Sequence, residues 1–243
     1  MQERIHEALR RNAVDEALAL AQAWVAQAPD EAGAHRALAV TLARAGDPAA
    51  ALVALDQAIL LAPEDAGLHF ERATLLLRER DSEGARAALG ESLGLDPNHL
   101  PSYLVQAQVA LAHGDLAEAE RLSRTAARID ADDPRLAVLD ALIALGRGDA
   151  DRALALAGSA GTRLPDDPQL LSALGFGHLA KGHWAFAEQS FRRVSELLPD
   201  ARALRPLLAQ LAARQGRKVA AGALVAPLVE VEAAATPALH PAG

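Results

Sequence analysis

Residues 46–63 read GDPAAALVALDQAILLAP and contain, in order, a turn, a helix and a stop signal. Gly46 tolerates the left-handed conformation that ends a helix, and Asp47 accepts backbone N–H groups at the start of the next one. Pro48 suits the first helical turn, where its missing N–H costs nothing. The segment therefore predicts the second helix of a helix pair, which begins after Gly46 and ends before Pro63.

Prolines recur along the chain at the slot that Pro63 occupies, 34 residues apart or at multiples of 34. They are Pro29, Pro63, Pro97, Pro165 and Pro199, and Ala131 fills the one vacant slot. A period held without insertion over six cycles indicates one helical unit copied along the chain. With the proline slot as position 32, the sequence predicts units at 1–31, 32–65, 66–99, 100–133, 134–167 and 168–201, and a partial unit at 202–217.

A turn at positions 15 and 16 is predicted to divide each unit into two helices. The residues there are Gly46-Asp47, Arg80-Asp81, Gly114-Asp115, Gly148-Asp149, Gly182-His183 and Gly216-Arg217. Links between units are expected to be about three to five residues long, so that consecutive helices become antiparallel neighbours. These signals predict an all-α stack of antiparallel helix pairs.

Small residues recur at the positions where two helices of a unit must approach closely. Position 8 holds Ala39, Ala73, Ala107, Ala141 and Gly175, and position 20 holds Ala17, Ala51, Ala85, Ala119, Ala153 and Ala187. Position 24 carries larger groups in Leu55, Leu89 and Phe191, while position 27 carries Ala58, Ala126 and Ala160. Alternation of small and large side chains is how helices reach close packing.

These residues resemble the tetratricopeptide repeat family over about residues 1–217. The shared pattern is a 34-residue helix pair with small residues at positions 8 and 20, a bulky one at 24, alanine at 27 and proline at 32. Position 4, often tryptophan in the family, departs from it with His35, His69, Tyr103, Ala137 and Leu171. The resemblance implies a right-handed α-solenoid whose first helices line a concave groove that binds peptide. A helical repeat that reads RNA is disfavoured by the period and by the acidic composition.

The composition excludes several classes of function. The chain has 32 acidic and 24 basic residues, for a net charge of −8, which argues against a nucleic-acid partner. It has no cysteine, so disulfides and thiolate metal sites are ruled out. No stretch approaches the roughly 20 apolar residues that cross a bilayer, and charged residues near Met1 leave no apolar signal core. We therefore expect a soluble, cytoplasmic protein without membrane insertion.

The sequence predicts no catalytic, cofactor or metal site. His35 and His69 share position 4 of adjacent units, but equivalent helices lie about 8–10 Å apart, and we interpret both as half-buried residues of a helix face. The same interpretation is given to His178 and His183. A dinucleotide-binding fingerprint requires its glycines to follow a strand, and the glycines around Phe176 follow none. We expect a protein that is not an enzyme.

In the family, positions 2, 5, 9, 12 and 13 reach bound peptide. Positions 5, 9 and 12 here form a mostly apolar set, for which ordinary core packing is the alternative interpretation: Phe70, Thr74, Leu77, Leu104, Gln108, Leu111, Val138, Leu142, Leu145, Ser172, Phe176 and Leu179. Arg36 at position 5 and Arg10, Arg44 and Arg78 at position 13 make the amino end of this face basic. They either hold an acidic segment or complement the helix dipole in water. No unit pairs lysine at 5 with asparagine at 9, so a chaperone-tail clamp is disfavoured.

The function predicted is a scaffold or adaptor that binds an extended or amphipathic segment of a partner protein. One alternative is the repeat arm of a larger enzyme such as a transferase, and another is self-association. Gly158 and Gly161 are expected to soften the second helix of unit 134–167. Residues 218–231 are predicted to form a terminal capping segment, and 232–243 a disordered tail.

Overall fold

The computed structural model describes residues 1–198, 201 and 204–214. Within them the chain forms thirteen α-helices and no β-strand, which confirms the all-α prediction. The helices are α1 (Gln2–Arg10), α2 (Val14–Gln27), α3 (Ala32–Ala45), α4 (Pro48–Leu61), α5 (Ala66–Arg78), α6 (Ser82–Leu95), α7 (Leu100–Ala112), α8 (Leu116–Ile129), α9 (Pro134–Gly146), α10 (Ala150–Ala160), α11 (Pro168–Ala180), α12 (Trp184–Leu197) and α13 (Leu204–Arg214). The predicted capping segment 218–231 and tail 232–243 lie outside the described residues.

The described residues divide into two compact units. The N-terminal unit is Met1–Ser102, and the C-terminal unit comprises the described residues from Tyr103 onwards. From α1 to α12 the connections between helices are two to seven residues long. Connections this short make consecutive helices pack as antiparallel neighbours. None of the helices in the described part of the chain is both long enough and apolar enough to span a membrane.

The turns inside the repeats have the geometry that the Gly-Asp pairs predict. Gly46, Gly114 and Gly148 are left-handed, with φ of 84°, 76° and 78°. The aspartate that follows each glycine accepts a hydrogen bond from the backbone N–H three residues later, at 3.0 Å in each case. Asp81 caps α6 in the same way at 2.8 Å, although its turn uses Arg80 at φ 62°. A side chain in this conformation costs roughly 1–2 kcal/mol.

The α10 helix is shorter than the sequence suggests. It has 11 residues and ends at Ala160, whereas the other second helices from α2 to α12 have 14. Gly161 is therefore the residue that caps the helix, not an interior residue that weakens it, and Gly158 alone lies inside. The seven-residue link to α11 is consequently longer than the three to five residues expected.

Small residues lie at the centre of each helix pair. All six alanines at position 20 have no exposed surface, namely Ala17, Ala51, Ala85, Ala119, Ala153 and Ala187. In the N-terminal unit, Ala39 of α3 shares a buried cluster with Leu55 of α4 and Leu68 of α5. In the C-terminal unit, Phe191 and Val194 of α12 share one with Leu204 and Leu211 of α13. The helices of a pair approach closely because only a methyl group separates their backbones.

In the α11–α12 pair, a larger side chain at position 24 is matched by a smaller residue at position 8. Position 8 is Gly175, and position 24 opposite it is the fully buried Phe191. A Cβ atom on Gly175 would lie 2.6 Å from Cε1 and 2.7 Å from Cζ of the Phe191 ring. In the α3–α4 pair the same two positions hold Ala39 and Leu55. Gly175 is therefore required by the larger ring.

We expect Gly158→Ala to stabilise the chain. Nothing lies within 4 Å of the added methyl, and replacing an interior helical glycine gains about 0.4–1 kcal/mol. Gly148→Ala is the matched control, because its surroundings are equally open but its φ is 78°. Urea unfolding followed by circular dichroism should show a gain for Gly158→Ala and a loss for Gly148→Ala; a loss for both would contradict the assignment of α10.

We expect Gly175→Ala to destabilise the chain by roughly 1–3 kcal/mol, because the added methyl overpacks the contact with Phe191. Phe191→Leu alone should also destabilise it by leaving a cavity. The double variant recreates an Ala–Leu pair like Ala39 and Leu55, so it should be more stable than Gly175→Ala alone. A double-mutant cycle on the free energies of unfolding measures this coupling, and strictly additive effects would show that the two residues do not compensate each other.

Candidate functional site

The N-terminal unit carries six of the predicted binding residues on its first helices: Arg36 and Arg44 on α3, and Phe70, Thr74, Leu77 and Arg78 on α5. We call these six residues the N-terminal face. Thr74 is buried and its hydroxyl donates to the Glu71 carbonyl at 2.8 Å, so it is used in packing. Phe70 is half-buried, with its ring centroid 5.2 Å from that of His99.

Arg36 is held by a carboxylate that the sequence analysis did not single out. Its Nε and Nη2 atoms donate to the same oxygen of Glu71, at 2.8 and 2.5 Å. The other carboxylate oxygen of Glu71 is buried and has no hydrogen-bond partner among the described residues. Burial raises the pKa of Glu71, and the hydrogen bond and charge of Arg36 offset this effect only in part. Arg36 nevertheless keeps 42% of its side chain exposed.

Arg44 and Arg78 are in a different electrostatic situation. Within the described part of the chain neither forms an ion pair, and their charges act on each other. Burial, followed by the charge of Arg44, lowers the pKa of Arg78. By contrast, Arg10, the residue at position 13 of the first unit, is paired with Glu7. Two neighbouring cations without a counter-charge make this part of the N-terminal face suited to an anion.

The C-terminal unit carries the other seven predicted residues, which we call the C-terminal face: Leu104, Gln108 and Leu111 on α7, Val138 and Leu142 on α9, and Ser172 and Phe176 on α11. Leu104, Val138 and Ser172 are only 4%, 2% and 6% exposed, so their side chains are used in packing. Leu111, Leu142 and Phe176 are half-buried. Leu142 packs against the cluster shared by α9, α10 and α11, as does Leu145. Phe176 meets Phe191 edge-on at a centroid distance of 4.8 Å.

A hydrogen bond links two first helices that are not consecutive along the chain. The side-chain amide of Gln108 on α7 donates to the amide oxygen of Gln169 on α11 at 2.7 Å. Gln169 is at position 2 of its unit, one of the positions that reach peptide in the family. The sequence places these residues 61 apart and contains no local signal for the contact. Gln108 and Gln169 thus add a polar hydrogen bond to the mostly apolar C-terminal face.

The histidines at position 4 have a structural role. The Nε2 atom of His35 lies 2.7 Å from the carbonyl oxygen of Pro29, and that of His69 lies 3.1 Å from the carbonyl oxygen of Pro63. Each ring therefore ties a first helix to the proline turn that precedes it. This contact accounts for histidine at the same slot in two successive units without a shared ligand.

A serine–histidine network in the N-terminal unit was not expected from the sequence. The Nδ1 atom of His99 lies 2.7 Å from Oγ of Ser102, which lies 2.8 Å from Oγ of Ser92. Burial lowers the pKa of His99, while Asp96 and Asp65 act in the opposite direction. Both serine side chains have no exposed surface. A catalytic nucleophile must be accessible to its substrate, and these two hydroxyls are not. We therefore interpret the network as a structural contact that stabilises the junction of α6 and α7.

Three solved structures resemble this chain at low sequence identity. The APC/C hetero-tetramer Cut9–Hcn1 has a TM-score of 0.75 at 14% identity, over 87% of this chain and 42% of that chain. A tetratricopeptide repeat protein from Parabacteroides merdae has a TM-score of 0.67 at 16% identity, over 88% and 85%. TTC0263, a thermophilic TPR protein in Thermus thermophilus, has a TM-score of 0.63 at 23% identity, over 75% and 99%. The chain thus spans less than half of the Cut9–Hcn1 chain that it matches.

These likenesses confirm the predicted fold class, an α-solenoid of antiparallel helix pairs. No curated protein matches the chain in sequence. The profile of the tetratricopeptide repeat family matches residues 3–68, 36–99 and 70–134. Because these overlapping matches together cover more than half of the 243 residues, the chain belongs to the tetratricopeptide repeat family.

Proposed function

We propose that this chain is a non-enzymatic adaptor that holds an amphipathic segment of a partner protein against its first helices. Acidic residues of that segment contact Arg44 and Arg78, and its apolar residues contact the half-buried Phe70 and Leu77 of the same N-terminal face. Tetratricopeptide repeats are in general protein-interaction modules, and the similar Cut9–Hcn1 structure is itself a hetero-tetramer. Family membership supports the class of partner, and the residues of the two faces support its chemistry.

The observation that carries the proposal is the uncompensated charge of Arg44 and Arg78. The chain as a whole has a net charge of −8, and most of its arginines that form ion pairs do so on exposed surface. Holding two like charges near each other, one of them half-buried, is unfavourable unless an anion completes the site. A carboxylate of a partner segment supplies that anion through charge-assisted hydrogen bonds, for which guanidinium groups are well suited.

On each face, the proposed apolar contacts rest on residues that are neither fully buried nor fully exposed. Leu77 in the N-terminal unit and Leu111, Leu142 and Phe176 in the C-terminal unit are of this kind. Each supplies up to about 1.5–3 kcal/mol if a partner completes its burial. The exposed part of Arg36 on the N-terminal face, and separately Gln108 and Gln169 in the C-terminal unit, offer hydrogen bonds to the backbone of a segment bound at that unit. The buried Thr74, Leu104, Val138 and Ser172 shape these faces from below.

We expect the double variant Arg44→Ala/Arg78→Ala to lose the preference for peptides that carry acidic residues. Random peptides of about 16 residues, selected by phage display on the natural chain, should carry Asp or Glu beside apolar residues. The double variant should bind the best of them at least about tenfold more weakly, since a hydrogen bond to a charged group contributes about 1.5–3 kcal/mol. Fluorescence anisotropy at low and high salt measures the loss, which should shrink as salt screens the charges.

Arg86→Ala is the control for that experiment, because Arg86 is exposed on the second helix α6 and paired with Glu83. Its affinity for the selected peptides should equal that of the natural chain. If the double variant also binds them with unchanged affinity, Arg44 and Arg78 do not form the acidic contact.

We expect Leu142→Ala/Phe176→Ala to weaken binding of those selected peptides whose affinity Arg44→Ala/Arg78→Ala leaves unchanged, while the helix content stays nearly unchanged. Some loss of stability accompanies it, because both side chains also pack against core clusters. Leu156→Ala separates the two effects, since Leu156 packs against the same cluster as Leu142 but from the second helix α10. It should lower the melting temperature without lowering the affinity. Unaltered binding by the double variant would exclude the C-terminal face as the apolar site.

A further inference from the structure

His178 and His183 bring two imidazole rings together at the turn between α11 and α12. Their Nδ1 atoms are 3.4 Å apart, and their ring centroids are 5.6 Å apart. His178 lies in the last turn of α11, and His183 is the N-cap residue of α12. The pair is separate from the two faces described above.

The backbone of the turn creates this contact. Gly182 is left-handed, with φ of 73°, and the N–H of His183 donates to the carbonyl oxygen of His178 at 2.9 Å. The N–H of Gly182 donates to the carbonyl oxygen of Leu179 at 3.1 Å. This arrangement is a Schellman motif, which brings together the side chains of the first and last residues of the turn. A spacing of five residues across a glycine is therefore the sequence signal for this contact.

His183 does not make the capping hydrogen bond that the equivalent residue makes in other turns. Asp47, Asp115 and Asp149 occupy the equivalent place and each accepts a hydrogen bond from its helix. The side chain of His183 makes no capping hydrogen bond to α12. It faces His178 instead, so helix capping does not account for its presence.

The distance between the two ring nitrogens fits a shared metal ion better than a hydrogen bond. Hydrogen bonds from nitrogen have donor–acceptor distances of about 2.7–3.2 Å, and the observed separation is longer. Two nitrogen ligands of a tetrahedral zinc ion, each about 2.0–2.1 Å from the metal, lie roughly 3.3–3.4 Å from each other. The pair therefore already has the spacing of a chelate.

The surroundings of the pair keep the rings in place and available. The ring of Phe186 stacks on His178 at a centroid distance of 5.2 Å, and the ammonium group of Lys181 is drawn away to Asp151, 2.8 Å distant. Burial, followed by the charge of His183, lowers the pKa of His178. Neutral imidazole is the form that binds metal.

We propose that His178 and His183 chelate one divalent transition-metal ion of the class that prefers imidazole, such as Zn²⁺, Ni²⁺ or Cu²⁺. Among the described residues no third histidine, aspartate or glutamate joins the pair, so water occupies the remaining coordination positions. The two histidines form an open site at the turn, and the affinity should follow the order of the metals, with Cu²⁺ bound more tightly than Ni²⁺ or Zn²⁺.

Isothermal titration of the full chain with CuCl₂, NiCl₂ and ZnCl₂ tests the proposal. We expect one equivalent of metal to bind, and to bind more weakly as the pH is lowered, because protons compete with the metal for the imidazole nitrogens. His178→Leu and His183→Asn should each lower the affinity by more than about tenfold, since loss of even an outer-shell partner costs about 10–100-fold. Leu42 occupies the equivalent place of His178 in the α3–α4 turn, and asparagine is a good N-cap, so both variants are expected to fold.

His113→Gln is the matched control, because His113 is an exposed histidine at the α7–α8 turn. It should bind the metal as the natural chain does. Two-dimensional NMR of the histidine ring signals should show two rings shifting together with Zn²⁺, and these should be the signals that His178→Leu and His183→Asn remove. The proposal is overturned if the natural chain binds no metal, if either variant keeps the full affinity, or if the control loses as much.

Discussion

The close approach of the two helices in each pair is the constraint on which the rest of this structure depends. Alanines without exposed surface at position 20, and small residues at position 8 of the other helix, let the two backbones approach closely. Where position 24 holds the larger side chain of Phe191, position 8 holds the smaller Gly175, and the two remain closely packed. A chain with only 3% aromatic residues builds its core in this way, from many small contacts instead of a few large ones.

That packing leaves other side chains of the first helices only half-buried. Each first helix packs one stripe of residues against its partner helix and its other neighbours. The residues at the edge of that stripe remain half-buried. Arg36 and Glu71 show that such an edge can satisfy itself, because the two residues bind each other across α3 and α5. Arg44 and Arg78 show the opposite case, since neither forms an ion pair within the described part of the chain, and burial together with the charge of Arg44 lowers the pKa of Arg78.

The turns show how one backbone geometry serves two purposes. In most repeats the left-handed residue is followed by an aspartate that caps the next helix, which stabilises the pair. At Gly182 the backbone is the same, yet the capping residue is His183 and its ring contacts His178. The capping residue can differ between repeats because the hydrogen bonds of the turn itself do not depend on that side chain.

The sequence by itself determined the fold class, the turns and the close contacts of each pair, because all of these follow from local signals repeated with a period of 34. It overestimated α10, where Gly161 ends the helix instead of lying within it. Only the tertiary structure decided which candidate residues are buried, and it placed Thr74, Leu104, Val138 and Ser172 in the packing. It alone paired Arg36 with Glu71 and Gln108 with Gln169, because contacts between residues 35 and 61 apart depend on how successive helices are stacked, which no local pattern encodes.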